Sequence, residues 1–124
     1  MRFVRYQAAT ANHRGHHVGV FGLANGLAAE GRLSEQEHRW WSASNAWLDQ
    51  AYPDPAISDP EVFNRRVHPL VSCWFKRDAL HLIERVPGYL QLLDAHCVPW
   101  RRVLSDDPGR VLYEDEVQVV VAPG

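Results

Sequence analysis

Apolar and polar side chains alternate from the start of the chain. Phe3, Arg5 and Gln7 fall on one side of an extended backbone and Val4, Tyr6 and Ala8 on the other, so the period of two predicts a strand over 2–8. Thr10 to His16 breaks the alternation with Asn, Gly and His and reads as a loop. Residues 18–30 change to a helical pattern that is apolar on nearly every side, with Val20, Phe21, Leu23, Ala24 and Leu27, and this predicts a buried helix. Gly19, Gly22 and Gly26 each weaken such a helix by about 1 kcal/mol against Ala. Their expected use is close approach of another backbone or a ligand. Asn25, the polar side chain in the middle, then needs hydrogen-bond partners and is a candidate ligand contact. Gly31 suits the residue just past the helix end.

Ser34-Glu35-Gln36-Glu37 has the spacing of a capping box and opens a second helix that runs to about Ala51. Trp40, Ala43, Ser44, Trp47 and Ala51 share its stripe, with Trp41 and Leu48 beside it. The two helices are expected to form an antiparallel hairpin. Pro53, Pro55 and Pro60 mark a loop, and Asp59-Pro60 starts a short helix that ends within 64–68. Pro69 is read as the start of a helix to about Arg85, with Val71, Phe75, Ala79, Leu82 and Val86 on one face. Pro87 opens a last helix through His96. Val98 to Leu104 and Arg110 to Val121 read as strands about an Asp107-Pro108-Gly109-Arg110 turn. The expected fold is one α+β domain over 1–124. In it a small antiparallel sheet, the N-terminal strand beside the C-terminal hairpin strands, packs against four to five helices.

Composition narrows the partners. The 124 residues are 46% apolar, enough for one core. The net charge is −2, so the phosphate backbone of a nucleic acid is not an expected partner. No run of 18 apolar residues is present, so no membrane span is expected. Residues 1–7 lack the apolar stretch of a signal peptide. Cys73 and Cys97 have no C-x-x-C spacing and read as two buried, reduced thiols, which points to the cytoplasm.

Tyr113-Glu114-Asp115-Glu116 interrupts the last apolar segment. In one continuous strand, Asp115 would share a face with Val111, Tyr113, Val117, Val119 and Val121. Three readings follow. A turn or bulge sends the acids to water; or Asp115 is an acid, base or ligand acceptor; or it pairs with a buried Arg, for which Arg5 on the first strand is the preferred partner. Glu114-x-Glu116 ahead of a valine-rich strand resembles the E-x-E element of ADP-ribosyltransferases. That resemblance implies a ribose-holding role for Glu116 and a phosphate-binding role for Arg5 or Arg2.

His13, His16 and His17 form an H-x-x-H-H cluster. Two ligands from one loop do not make a metal site without a third, and spacing selects none, so no metal is expected; His16 or His17 could instead transfer a proton. Trp40, Trp47 and Trp74 are read as core, while Trp41, at the stripe's edge, would line a pocket or a dimer contact. Cys73 lacks a histidine at hydrogen-bonding range along its helix, since His81 is about 12 Å away by rise. No G-x-S-x-G, P-loop or G-x-G-x-x-G is present.

The expected function is therefore a small-ligand-binding or protein-interaction module with no cofactor, with Asn25, Trp41 and Tyr113 as ligand contacts and a homodimer left open. The alternative is a small enzyme built on Arg5, His16, His17, Glu114, Asp115 and Glu116.

Overall fold

The computed structural model describes residues 2–51 and 54–123. Strand β1 (Phe3–Ala8) is followed by α1 (Val20–Ala29), α2 (Glu35–Ala51) and the single turn α3 (Pro55–Ser58). Then come β2 (Ser72–Lys76), α4 (Leu80–Ile83), α5 (Val86–Ala95), β3 (Trp100–Ser105), β4 (Arg110–Glu114) and β5 (Gln118–Ala122). The strands form one antiparallel sheet in the order β3-β1-β2-β5-β4. The fold is α+β, as the pattern of periods implies. No helix among the described residues is long and apolar enough to cross a membrane.

The local signals at the helix ends are realised. Ser34 Oγ accepts from Glu37 N at 3.1 Å, and Glu37 Oε1 accepts from Ser34 N at 2.8 Å, closing the capping box. Gly31 sits at φ +68°, with Gly31 N donating to Ala28 O and Arg32 N to Leu27 O, a Schellman ending for α1. Pro87 stands in the first turn of α5.

The sheet departs from expectation in three ways. The segment 69–85 is not one helix: Ser72–Lys76 is a central strand, and only Leu80–Ile83 is helical. The run Cys73-Trp74-Phe75 shows no period of two because both of its faces are covered. Trp74 packs with Phe3, Val119 and Val121, and Phe75 packs against the helices. Second, β1 does lie beside a C-terminal strand, β3, along its whole length, but its other neighbour is β2 and not the last strand. Third, β3 and β4 are at opposite edges, so residues 98–121 do not form the expected hairpin. The hairpin is β4–β5, and the segment 110–121 is cut by a turn at 115–117. The 106–109 connection passes over the end of β5, where Gly109, at φ +153°, lies so close to Ala122 that a Cβ would strike its carbonyl oxygen.

Smaller corrections concern the helices. The short helix expected from Asp59-Pro60 to 64–68 does not form: 60–68 is a run of turns, with Asp59 Oδ1 accepting from Glu61 N. The single helical turn lies earlier, in the expected proline loop, where Asp54 Oδ1 caps α3 by accepting from Ala56 N at 2.9 Å. Pro53, read as part of the proline loop, lies outside the described residues. Helix α1 buries Val20, Ala24 and Leu27 but leaves Gly22 and Asn25 exposed, so it is covered on one side only. Trp74 is core, whereas Trp40 and Trp47 are exposed. Trp40 packs edge-on against Tyr89, and Arg85 lies over the Trp47 ring at 3.7 Å.

Three apolar clusters hold these layers. Val20 and Leu27 of α1 meet Val86 and Leu93 of α5 over Tyr6, Phe75 and Trp100 of the sheet. Leu48, Leu82 and Tyr89 continue this core under α2 and α4. Phe3, Trp74, Val119 and Val121 form a third cluster on the other face of the sheet.

Candidate functional site

The pairing of β1 with β2 lasts for two residues, Phe3 with Lys76 and Val4 with Phe75. Beyond it the strands part. The freed edge of β1 is taken by the segment before α1: Ala8 N donates to Val18 O at 2.7 Å, and Gln7 bridges to Gly19. The Arg5 guanidinium fills the split. Its Nη1 donates to Cys73 O and its Nη2 to His17 O, both at 2.8 Å, and its Nε donates to Gln7 Oε1 at 2.9 Å. These bonds replace the ladder that the parted strands cannot make. They explain why a charged residue is tolerated on a central strand at 7% exposure. Burial pulls the Arg5 pKa below its ordinary value, with the Cys73 thiol acting weakly the other way. The group remains a cation, since no protein environment deprotonates arginine.

Above this split lies a cavity of about 580 Å³. Its sheet wall carries Arg5, Cys73, Trp74, Phe75 and Gln118. The facing wall carries Phe21 of α1, Asp49 of α2, Asp54 and Pro55 at α3, and Phe63. Phe21 and Phe75 meet edge-to-face at 6.0 Å, fixing one corner. Both cysteines are free, as expected, but exposed rather than buried. For Cys73 the exposure is to the cavity: the thiol has accessible surface while protein surrounds it, and that burial pushes its pKa up despite Arg5.

The residues singled out from the sequence divide into groups. Arg5 is in the cavity wall, and its partner is not Asp115. His16 and His17 lie beside it. His17 lends its carbonyl to Arg5 and its Nδ1 lies 3.0 Å from Ala8 O. The His16 pKa is lowered, by burial first and then by Arg5, Arg14, His17 and Arg65 around it. Asn12 Oδ1, accepting from Arg14 N and His16 N, folds this loop into a compact turn. Among the described residues no group of three or more His, Cys, Asp or Glu is placed to share a metal ion.

The acidic segment lies elsewhere, in the β4–β5 turn. Glu114 is exposed and pairs with Lys76 Nζ at 2.8 Å, and Glu116 is exposed. Asp115 is half-buried and less exposed than either neighbour. It accepts from Val117 N at 2.9 Å, Gln118 N at 3.0 Å, Tyr113 Oη at 2.8 Å and Gln118 Nε2 at 3.1 Å. Burial alone would raise its pKa, but the Val117 amide, Tyr113 hydroxyl and Gln118 bonds outweigh that and hold it low. Asp115 therefore caps the hairpin turn rather than meeting a cation. Of the residues the E-x-E resemblance singles out, Glu114 is tied to Lys76, Glu116 is exposed, and Arg5 is bonded to Gln7 and two carbonyls.

Asn25, Trp41 and Tyr113 do not line the cavity. Asn25 Oδ1 accepts from Trp41 Nε1 at 2.9 Å and Asn45 Nδ2 at 3.0 Å, and Asn45 in turn accepts from the Tyr89 hydroxyl. This chain joins α1, α2 and α5. Of Gly19, Gly22 and Gly26, Gly19 is the one at the site, its Cβ position 3.5 Å from the Arg5 guanidinium, an ordinary contact with a side chain rather than the expected close approach of a backbone or ligand. Around Gly26 nothing lies within 4 Å, and Gly22 faces only Val18.

Sequence reasoning did not bring Cys73, Phe75 and Gln118 together, because it placed 69–85 in a helix rather than in a strand paired with 118–122. The available signal was Gln118 itself, a lone amide in Val117-Gln118-Val119-Val120-Val121, now 4% exposed. No protein-family model, curated protein or solved structure matches the chain.

Proposed function

We propose that the chain is a small-ligand-binding module whose ligand occupies the cavity between β2 and the α1–α3 side. The observation that carries this is the cavity's make-up: about 580 Å³, aromatic on both walls, with a buried guanidinium in one of them. Small-molecule sites have this volume and this mixture of apolar lining and few polar anchors. A binding role fits the groups better than an acid–base or thiol enzyme does. Burial raises the Cys73 pKa and so favours the neutral thiol over the nucleophilic thiolate. The acids of the YEDE segment are spent on a turn and an ion pair.

The test uses the Cys97→Ser protein, in which Cys73 is the single thiol. Small metabolites are screened for an increase in Tm, then rescreened after Cys73 is blocked with N-ethylmaleimide. A ligand of the cavity loses its Tm increase in the blocked protein, because binding to the native state is what raises stability. Hits that stabilise blocked and unblocked protein equally would refute the reading.

A further inference from the structure

The cavity lining carries opposite charges, a buried guanidinium on Arg5 and exposed carboxylates on Asp49 and Asp54, and among the described residues none of the three is in an ion pair. On the sheet side Arg5 is buried, and all three of its acceptors are neutral oxygens. Three of its five N–H groups are used in those bonds, leaving two. On the helical side Asp49 lies in the last turn of α2, which carries no basic residue of its own. Asp54 spends Oδ1 on capping α3 and keeps its second oxygen. Among the described residues Arg5, Asp49 and Asp54 make no ion pair. Each wall is thus half of a charge pair, and Phe21, Phe63 and Phe75 lie between or beside them.

We propose that the cavity's ligand is a small zwitterion of the amino-acid type, its carboxylate on Arg5, its ammonium between Asp49 and Asp54, and an apolar body against the phenylalanines. The proposal rests on the cavity being the ligand site and goes further by fixing the ligand's charge pattern. A purely anionic ligand would leave its other end facing two carboxylates. A purely cationic one would leave the buried guanidinium without an anion. A carboxylate on Arg5 can take the two remaining N–H groups in the paired geometry that arginine favours. An ammonium near Asp49 also offsets the unfavourable helix-end charge.

Four probes of nearly equal apolar size separate the charges: L-phenylalanine, 3-phenylpropanoate, 2-phenylethylammonium and neutral 2-phenylethanol. Binding is read by calorimetry and by protection of Cys73 from iodoacetamide in the Cys97→Ser protein. L-Phenylalanine is expected to protect at concentrations about tenfold lower than any of the other three. Asp49→Asn should weaken L-phenylalanine and 2-phenylethylammonium about tenfold and leave 3-phenylpropanoate unchanged. Asp54→Ser, which keeps a capping oxygen, should act in the same direction. Arg5 is left intact, because its replacement would open the β1–β2 split; the probe lacking a carboxylate tests its role instead. Equal protection by 2-phenylethanol and L-phenylalanine would overturn the zwitterion while leaving the cavity as a ligand site. Tighter binding of a singly charged probe would overturn it in favour of that class. Failure of all four at millimolar concentration would overturn the zwitterion and, with an empty screen, the ligand-binding reading itself.

Discussion

Arg5 places a full charge at 7% exposure on a central strand, a position that is costly unless every nearby acceptor is used. Three hydrogen bonds to Gln7, Cys73 and His17 meet that cost and hold the parted strands at a fixed width. Arg5→Met removes the charge but leaves two carbonyls and an amide oxygen without donors. We expect a loss of about 2–4 kcal/mol in urea unfolding, from unsatisfied groups at about 1–3 kcal/mol each, partly relieved by water from the cavity. A loss below about 0.5 kcal/mol would mean that the split keeps its width without the Arg5 bonds. Asp115 is the second residue whose charge is fixed by bonding. Its lowered pKa means that the folded state favours the anion, so its contribution is complete above the ordinary carboxylate range and is lost as pH falls through the lowered value. Asp115→Asn should cost about 1 kcal/mol at neutral pH, and the gap from wild type should close in acid. A gap independent of pH would remove the carboxylate from the account. Both residues stood out in the sequence as charges within apolar strands. Their partners did not, because Cys73 O and His17 O are backbone groups whose positions depend on where the strands separate.

Among the elements, two of the three helical glycines of α1 and α5, Gly26 and Gly88, bear directly on packing. A Cβ on Gly26 meets nothing within 4 Å, so Gly26→Ala should stabilise the protein by about 0.5–1 kcal/mol through helix propensity alone. A Cβ on Gly88 would overlap the Trp40 ring, which packs against Tyr89. Gly88→Ala should therefore cost about 1–2 kcal/mol and alter the tryptophan fluorescence as Trp40 is displaced. Opposite signs for one substitution type on two helices would support the packing of α2 on α5; the same sign at both would contradict it. The elements with local signals were legible in the sequence: the strand 2–8, the capping box at Ser34, the Gly31 ending and the Pro87 start all carry their own chemistry within a few residues. β2 was not legible. Val71 and Phe75 fall four apart and match a helix, and the strand is recognisable only by the layers that cover its two faces.

For the whole molecule, the order β3-β1-β2-β5-β4 puts strands from both ends of the chain around a strand from its middle. The cavity is a consequence of that order. It sits where β1 leaves β2, and its lining comes from segments far apart in sequence, including residues 5, 21, 49, 73 and 118. No spacing rule joins such positions, which is why the candidate site could be read only through Arg5. The most direct test is an NMR titration with the tightest-binding probe of the phenylalanine series, following the backbone amides and the Arg5 Nε–H resonance. The account predicts that shifts concentrate at Arg5 Nε, Gly19, Cys73, Phe75 and Gln118. Shifts confined to the small groove of Gln36, Trp40 and Gln91, or to the 115–117 turn, would contradict it.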